Sequence, residues 1–155
     1  MNKNQSLPWD HPRFRSWIAV ARACHLMQQA LTRQLAELDI KTPQLDILIN
    51  LYRFEGISQQ ELARKLLVGR SNMSMLLPQL EKRGLIERRG DIKDKRVLRL
   101  HLTPSGTALT QQAMDIQTHL IEETLSGAPI EDCMIVAQSM ERIVSVLLKA
   151  EDENG

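Results

Sequence analysis

Apolar residues recur at helical spacing over residues 12–38: Phe14, Trp17, Ile18, Ala21, Cys24, Leu31, Leu35 and Leu38. Asp10 stands where a cap would open that helix. A helix of roughly 27 residues is about 40 Å long, too long for a small domain to cover, so part of it must pack on something else. Thr42-Pro43 opens a second helix, with proline in the first turn, where a missing N–H costs nothing. Its stripe reads Leu45, Leu48, Ile49 and Tyr52, and Gly56 lies just beyond its end. Ser58-Gln59-Gln60-Glu61 is a capping box, in which hydroxyl and carboxylate each accept a backbone donor exposed at a helix start. Leu62, Ala63 and Leu66 then point inward, Gly69 interrupts, and a further helix sets Met73, Leu76, Leu77 and Leu80 on one face before Gly84. Two short helices joined by a glycine-containing turn form a helix-turn-helix.

The period then drops to two. Residues 85–89 read as a short strand, 90–95 as a polar loop, and 96–102 as a second strand. In the second strand Leu98, Leu100 and Leu102 share one face, and Val97, Arg99 and His101 the other. This is an antiparallel hairpin with a charged tip. Thr103-Pro104 starts another helix, which runs to about residue 125 through Leu109, Ala113, Ile116 and Leu120. Ser126-Gly127-Ala128-Pro129 breaks the chain, and a last helix carries Ile130, Met134, Ala137, Met140, Val144, Leu147 and Leu148. The acidic residues 151–155 are expected to fray beyond it. The fold class expected is mainly α with a small β-hairpin wing.

Composition narrows the function. Hydrophobic residues make up 43% and charged residues 25% of 155, the balance of an ordinary globular protein. Aromatics are only 3%, which argues against stacking platforms for single-stranded nucleic acid. No apolar run approaches the roughly 18 residues of a membrane span, and residues 1–9 lack the apolar stretch of a secretory signal. With two cysteines, Cys24 and Cys133, there is no disulfide framework or zinc motif, and the expected location is cytoplasmic. The net charge of +1 conceals a division. Residues 58–99 hold eleven Lys and Arg against five acids, a surplus of six positive charges, while the rest of the chain has a surplus of five negative ones. A basic middle between acidic ends suits one polyanion-binding surface.

Between residues 62 and 106 the chain reads Leu-Ala-Arg-Lys-Leu-Leu-Val, then Leu-Glu-Lys-Arg-Gly-Leu-Ile-Glu-Arg-Arg, then Asp-Lys-Arg-Val-Leu-Arg-Leu-His-Leu-Thr-Pro-Ser-Gly. This run resembles the MarR family of bacterial transcription regulators. Its most specific pieces are Asp94-x-Arg96 in the wing and Leu102-Thr103-x-x-Gly106 at the exit. The resemblance implies a homodimer with interlocking terminal helices and two winged lobes on a pseudo-palindromic operator in double-stranded DNA. The expected divisions are a dimerisation helix over 1–40, a winged helix-turn-helix lobe over 41–103, dimerisation helices over 104–150 and a tail over 151–155. The expected action is repression, relieved by a small aromatic or phenolic effector. Two alternatives stay open: an oxidant-sensing repressor acting through Cys24, and a winged-helix module that binds an acidic protein partner.

A recognition helix reads base edges with its outward N-terminal residues, here Arg70, Ser71, Asn72, Ser74 and Met75, with Gln79 further along. Arg70 suits guanine, Asn72 adenine and Met75 a thymine methyl, while Arg70, Ser71 and Ser74 also suit phosphate. Arg96 at the wing tip suits a narrow minor groove, Arg89 and Lys95 add positive charge beside it, and Asp94 reads as an acid that orients Arg96. Two residues depart from the family pattern. Pro78 inside the recognition helix cannot donate to the Ser74 carbonyl and should bend or end the helix; that leaves base contact by Gln79 in doubt. Gly69 replaces a side-chain cap. Arg13, Phe14 and Trp17 are candidates to line an effector pocket, against a plain apolar packing role. Cys24 and Cys133 read as packing groups, with Cys24 the candidate thiol sensor. His25, His101 and His119 form no ligand cluster, and neither a cofactor nor the residues of an enzyme site are indicated.

Overall fold

The computed structural model describes residues 7–66 and 70–155, with backbone alone for 70 and 71. Among the described residues six α-helices and one hairpin follow in order: α1 (Phe14–Leu35), α2 (Thr42–Arg53), α3 (Gln59–Lys65), α4 (Arg70–Lys82), β1 (Ile86–Gly90), β2 (Leu98–Leu102), α5 (Pro104–Leu125) and α6 (Ile130–Asn154). By packing, the chain divides into two compact units, Met1–Gln117 and Thr118–Gly155. The glycine turn expected at Gly69 lies outside the described residues.

The first helix is shorter than its periodicity suggests. Asp10 does not cap it but ends a separate 3-10 turn, Pro8–Asp10, and the Arg13 N–H donates to His11 Nδ1 at 3.1 Å just before α1 begins. Only Leu35 of α1 is buried. A second 3-10 turn, Ala36–Leu38, leads to Asp39 in the left-handed conformation, φ 51°. There Arg83 reaches across from the end of α4 and donates to the carbonyls of Asp39 and Leu38 at 2.5 and 3.2 Å.

In the first unit the core is built around α2 and α4. Leu45, Ile47, Leu48 and Leu51 meet Leu62, Met73, Leu76, Leu77 and Leu80, with Leu100 from the hairpin and Ala113 from α5. The buried face of α2 is therefore turned from the expected stripe: Ile47 and Leu51 are inside, Ile49 is half-buried and Tyr52 is exposed. The α4 face is as its spacing predicts. Pro78 does not end α4, which continues to Lys82. The helix closes on Gly84 at φ 69°, where the Leu85 N–H donates to the Leu80 carbonyl and the Gly84 N–H to the Glu81 carbonyl. This paired closure needs a left-handed residue, which glycine supplies without a Cβ clash.

β1 and β2 pair antiparallel, with Arg88 opposite Leu100 and Gly90 opposite Leu98. Leu100 is buried, but Leu98, expected on the inner face, is exposed because the sheet ends there. Ser58 adds a single bridge to Arg99, and the Leu100 N–H donates to the Ile57 carbonyl, so the hairpin is stitched to the start of α3.

The exit from the hairpin is tightly made. The Thr103 N–H donates to the Leu85 carbonyl, Thr103 Oγ1 and Ser105 Oγ donate to Gly84 O, and Thr103 Oγ1 accepts the Gly106 N–H. In the second unit α6 runs to Asn154, so residues 151–154, expected to fray, are helical. No residue of α6 is buried within the chain.

Candidate nucleic-acid interface

The reading head rests on α3 and α4. Ser58 and Glu61 form the reciprocal cap: the Glu61 N–H donates to Ser58 Oγ and the Ser58 N–H to Glu61 Oε2, each at 3.1 Å. The Ser58 N–H foremost, and then the Ser58 hydroxyl, hold the Glu61 carboxyl below its usual range. With Met73, Leu76, Leu77 and Leu80 buried, α4 turns Asn72, Ser74 and Met75 outward, and Met75 is 60% exposed. The side chains of Arg70 and Ser71 lie outside the described residues.

Gln79 is also exposed, but it is tethered. Gln44 Nε2 donates to Gln79 Oε1 at 3.1 Å, and Gln44 Oε1 accepts the Lys41 N–H at 3.0 Å. Gln79 therefore ties α4 to the start of α2. This bond, to a residue 35 positions away, carries no local sequence signal.

The wing presents Arg96 with its side chain 90% exposed. Asp94 grips it from behind: Oδ1 accepts Arg96 Nε at 3.0 Å and Oδ2 accepts Nη2 at 3.2 Å. Lys95 is exposed beside it, and Arg89 pairs with Glu87 at 2.6 Å on the outer face of β1. Sequence reasoning missed the network beneath. Asp91 Oδ2 accepts the N–H groups of Lys93 and Asp94, each at 3.1 Å, and Oδ1 accepts Arg99 Nε at 2.7 Å. Arg99 Nη1 then donates to the Gly56 carbonyl at 2.9 Å, fixing the wing to the loop before α3. An aspartate opening a polar loop, with N–H groups two and three residues on, was the available signal. Arg88 Nε similarly donates to Glu81 Oε1 at 2.6 Å, tying β1 to α4.

Between the wing base and the helices lies an open groove of about 380 Å³ lined by Ser58, Gln59, Gln60, Ala63, Met73, Arg96, Val97 and Leu98. Gln59 Oε1 is buried there without a hydrogen-bond partner.

The wing carboxylates set a pH limit. The hydrogen bond from Arg99 holds Asp91 below its ordinary 3.8, and the bond from Arg96 does the same for Asp94. A lowered carboxylate stabilises the fold fully above its ordinary value, and that contribution is lost as pH falls through the folded-state value. Titration of the two carboxyls by NMR should give midpoints below 3.8, with the Lys93 and Asp94 amides keeping their native shifts down to that range. Midpoints at or above the ordinary value would mean that the network does not form in solution.

The other candidate residues sit on α1 or just before it. Trp17 is 74% exposed, Phe14 half-buried and Arg13 exposed, so within this chain they make an open surface. Cys24 is exposed and Cys133 half-buried in the single chain, so Cys24 packs against nothing within it. Its helix face is simply not covered here. Among the described residues no group of three His, Cys, Asp or Glu is placed to hold a metal, and no helix is long and apolar enough to cross a membrane.

A capped helix-turn-helix with an outward polar face, braced by a hairpin with a cationic tip, is a winged helix-turn-helix for binding DNA. The MarR family model matches residues 38–97. An uncharacterized HTH-type transcriptional regulator of Bacillus cereus is 32% identical over 101 residues, covering 65% of this chain and 67% of that one. The S. aureus MepR–DNA complex matches with a TM-score of 0.75 at 26% identity, over 83% of this chain and 95% of that one. Bordetella bronchiseptica BpsR, described for regulation of its DNA binding by 6-hydroxynicotinic acid, matches at 0.77 and 16% identity, over 86% and 96%. The chain belongs to the MarR family of DNA-binding transcriptional regulators.

Proposed function

We propose that the protein is a homodimeric repressor that grips a pseudo-palindromic operator and is released by a small aromatic acid or phenol. The observation that carries the DNA half is the pairing of an outward Asn72, Ser74 and Met75 on α4 with an Arg96 held ready by Asp94. In this reading Asn72 and Met75 specify bases, with Arg70, Ser71 and Ser74 at base edges or phosphates. Arg89, Lys95 and Arg96 serve the backbone and minor groove. Gln79 is given a bracing role instead. MepR, at 26% identity, has been solved on DNA, which supports that assignment. The effector half draws on BpsR's 6-hydroxynicotinic acid and on the open surface at Arg13, Phe14 and Trp17, which a second subunit would turn into a pocket wall.

The test is a titration of the native protein and two variants, at several salt concentrations, on the DNA upstream of its own gene and on a scrambled duplex. Arg96→Ala should weaken binding to both duplexes and lower the slope of log K against log salt by about 0.9 for each phosphate no longer neutralised. Asn72→Ala should cost roughly 1–3 kcal/mol on the operator and little on the scrambled duplex. Equal weakening on both duplexes for Asn72→Ala would place it on the DNA backbone. Unchanged binding by Arg96→Ala would favour an acidic protein partner for the wing.

A second effector reading follows from the exposure of Cys24. If peroxide releases DNA from the native protein but not from Cys24→Ser, regulation is by oxidation; release by phenolic acids from both proteins supports the ligand reading.

A further inference from the structure

At the end of the wing stands an isoleucine. Ile92 is 99% exposed, more than any other large hydrophobic residue among those described. A loop that merely lacks structure can leave an apolar residue in water, but this tip is built. Asp91 accepts the N–H groups of Lys93 and Asp94, so the turn folds around its carboxylate with Ile92 as the residue carried outside. The Asp91 N–H donates to the Val97 carbonyl and the Val97 N–H to the Asp94 carbonyl, closing the turn beneath. Arg99 then locks Asp91 to the Gly56 carbonyl, so the lobe as a whole holds the tip in place. A lone exposed isoleucine costs the fold almost nothing. One already held in place by its turn loses little freedom when a partner covers it, so more of the burial gain is kept as affinity.

The charges around it indicate which partner that is. Lys93, Lys95 and Arg96 lie within four residues of Ile92, and both nearby acids are engaged, Asp91 by Arg99 and Asp94 by Arg96. The tip presents to a partner one apolar point flanked in sequence by Lys93 and Lys95, whose charges neither of these acids takes up. The wing base also lines one groove with α3 and α4, the helices that the proposed function sets on DNA. Duplex DNA offers the matching surface: a minor groove with phosphates on both walls and apolar sugar and base edges inside. Isoleucine is among the side chains that minor-groove proteins drive between base pairs, partly unstacking a step and bending the helix toward the major groove.

We propose that Ile92 is such a wedge, seated by the wing in the minor groove at a flexible pyrimidine–purine step that it prises open. The inference rests on the proposed function, in which the wing enters the minor groove. It adds a specificity determinant: the sequence beneath each wing is read through its deformability, and TA or CA steps, which unstack most readily, are preferred there.

The experiment selects duplexes from a random library with the native protein, Ile92→Ala, Ile92→Leu and Arg96→Ala, then measures affinity and bend angle on the duplexes the native protein selects. Ile92 touches nothing that a truncation would disturb, so Ile92→Ala should melt like the native protein without DNA. The native protein and Ile92→Leu should enrich a pyrimidine–purine step at one fixed flank position and bend the duplex. Ile92→Ala should bind about tenfold more weakly, as expected when one apolar insertion is removed, with the step preference gone and the bend reduced. If Ile92→Ala selects the same flanks and bends DNA equally, the wedge is overturned. It is also overturned if affinity falls with neither step preference nor bend altered, because Ile92 then touches DNA without deforming it. Arg96→Ala separates the two levels: normal binding by that variant removes the wing from DNA altogether, whereas weakened binding with an indifferent Ile92→Ala leaves the wing in the groove without its wedge.

Discussion

Gly106→Ala is expected to lower the melting temperature by about 10 °C, from a destabilisation of roughly 3 kcal/mol or more. A Cβ at that position would stand 1.9 Å from the Leu85 carbonyl oxygen and 2.8 Å from its carbon, both backbone atoms that cannot swing aside. The Leu85 carbonyl accepts the Thr103 N–H, and Gly84 beside it accepts two hydroxyls, from Thr103 and Ser105. Making room for one methyl means backing the first turn of α5 away from the α4–β1 junction and straining all three bonds. Gly127→Ala is the matched control, since nothing lies within 4 Å of a Cβ there and its φ is not positive. It should melt within about 2 °C of the native protein. Thermal unfolding of the two variants side by side measures the difference. A Gly106→Ala protein as stable as the control would mean that α5 does not start against β1 as described.

That junction shows why part of the chain was legible and part was not. Thr103-Pro104-Ser105-Gly106 and Ser58-Gln59-Gln60-Glu61 are local devices: each satisfies backbone donors within three residues, so the residue types announce the geometry. The inner face of α4 was equally plain, because Met73, Leu76, Leu77 and Leu80 keep helical spacing and Met75 is the one large apolar residue outside that face. The face of α2 was not. Apolar residues stand at 45, 47, 48, 49, 51 and 52, nearly all round the helix. Periodicity cannot choose among them, and the choice of Ile47 and Leu51 over Ile49 and Tyr52 falls to packing against α4 and the hairpin.

The site divides in the same way. Asp94 and Arg96 are two residues apart, and their pairing follows from that spacing. Gln79 with Gln44, Arg99 with Gly56 and Arg83 with Asp39 are separated by 35, 43 and 44 positions. These bonds brace the reading head, and each exists only because the fold has already brought two distant segments together. Cys24 stays open between packing group and accessible thiol for a related reason. Its spacing marks the apolar side of a helix, but nothing in a single chain says whether that side is covered.

Val144→Asp and Leu147→Lys are each expected to convert a dimer into monomers or to unfold the terminal helices at micromolar concentration. Nine large hydrophobic residues of α6, from Ile130 to Leu148, are more than two-fifths exposed in the single chain. α1 adds Trp17, Ile18, Val20, Leu26 and Met27. Each such side chain gains about 1.5–3 kcal/mol when fully covered, and so large an exposed apolar surface is unusual for a monomer. In the proposed dimer these helices pair with their copies by two-fold symmetry, so each substitution enters the interface twice. Val144 and Leu147 follow Met140 along one side of α6 at helical spacing, so an ionised group at either place must be buried without a partner or push the helices apart. In an isolated chain the same substitutions would be almost neutral, because both positions face water. Sedimentation over a concentration series, with helical content followed in parallel, separates the two outcomes. A native protein that sediments as a folded monomer, or variants that remain dimeric and fully helical, would leave these apolar faces without the partner assigned to them.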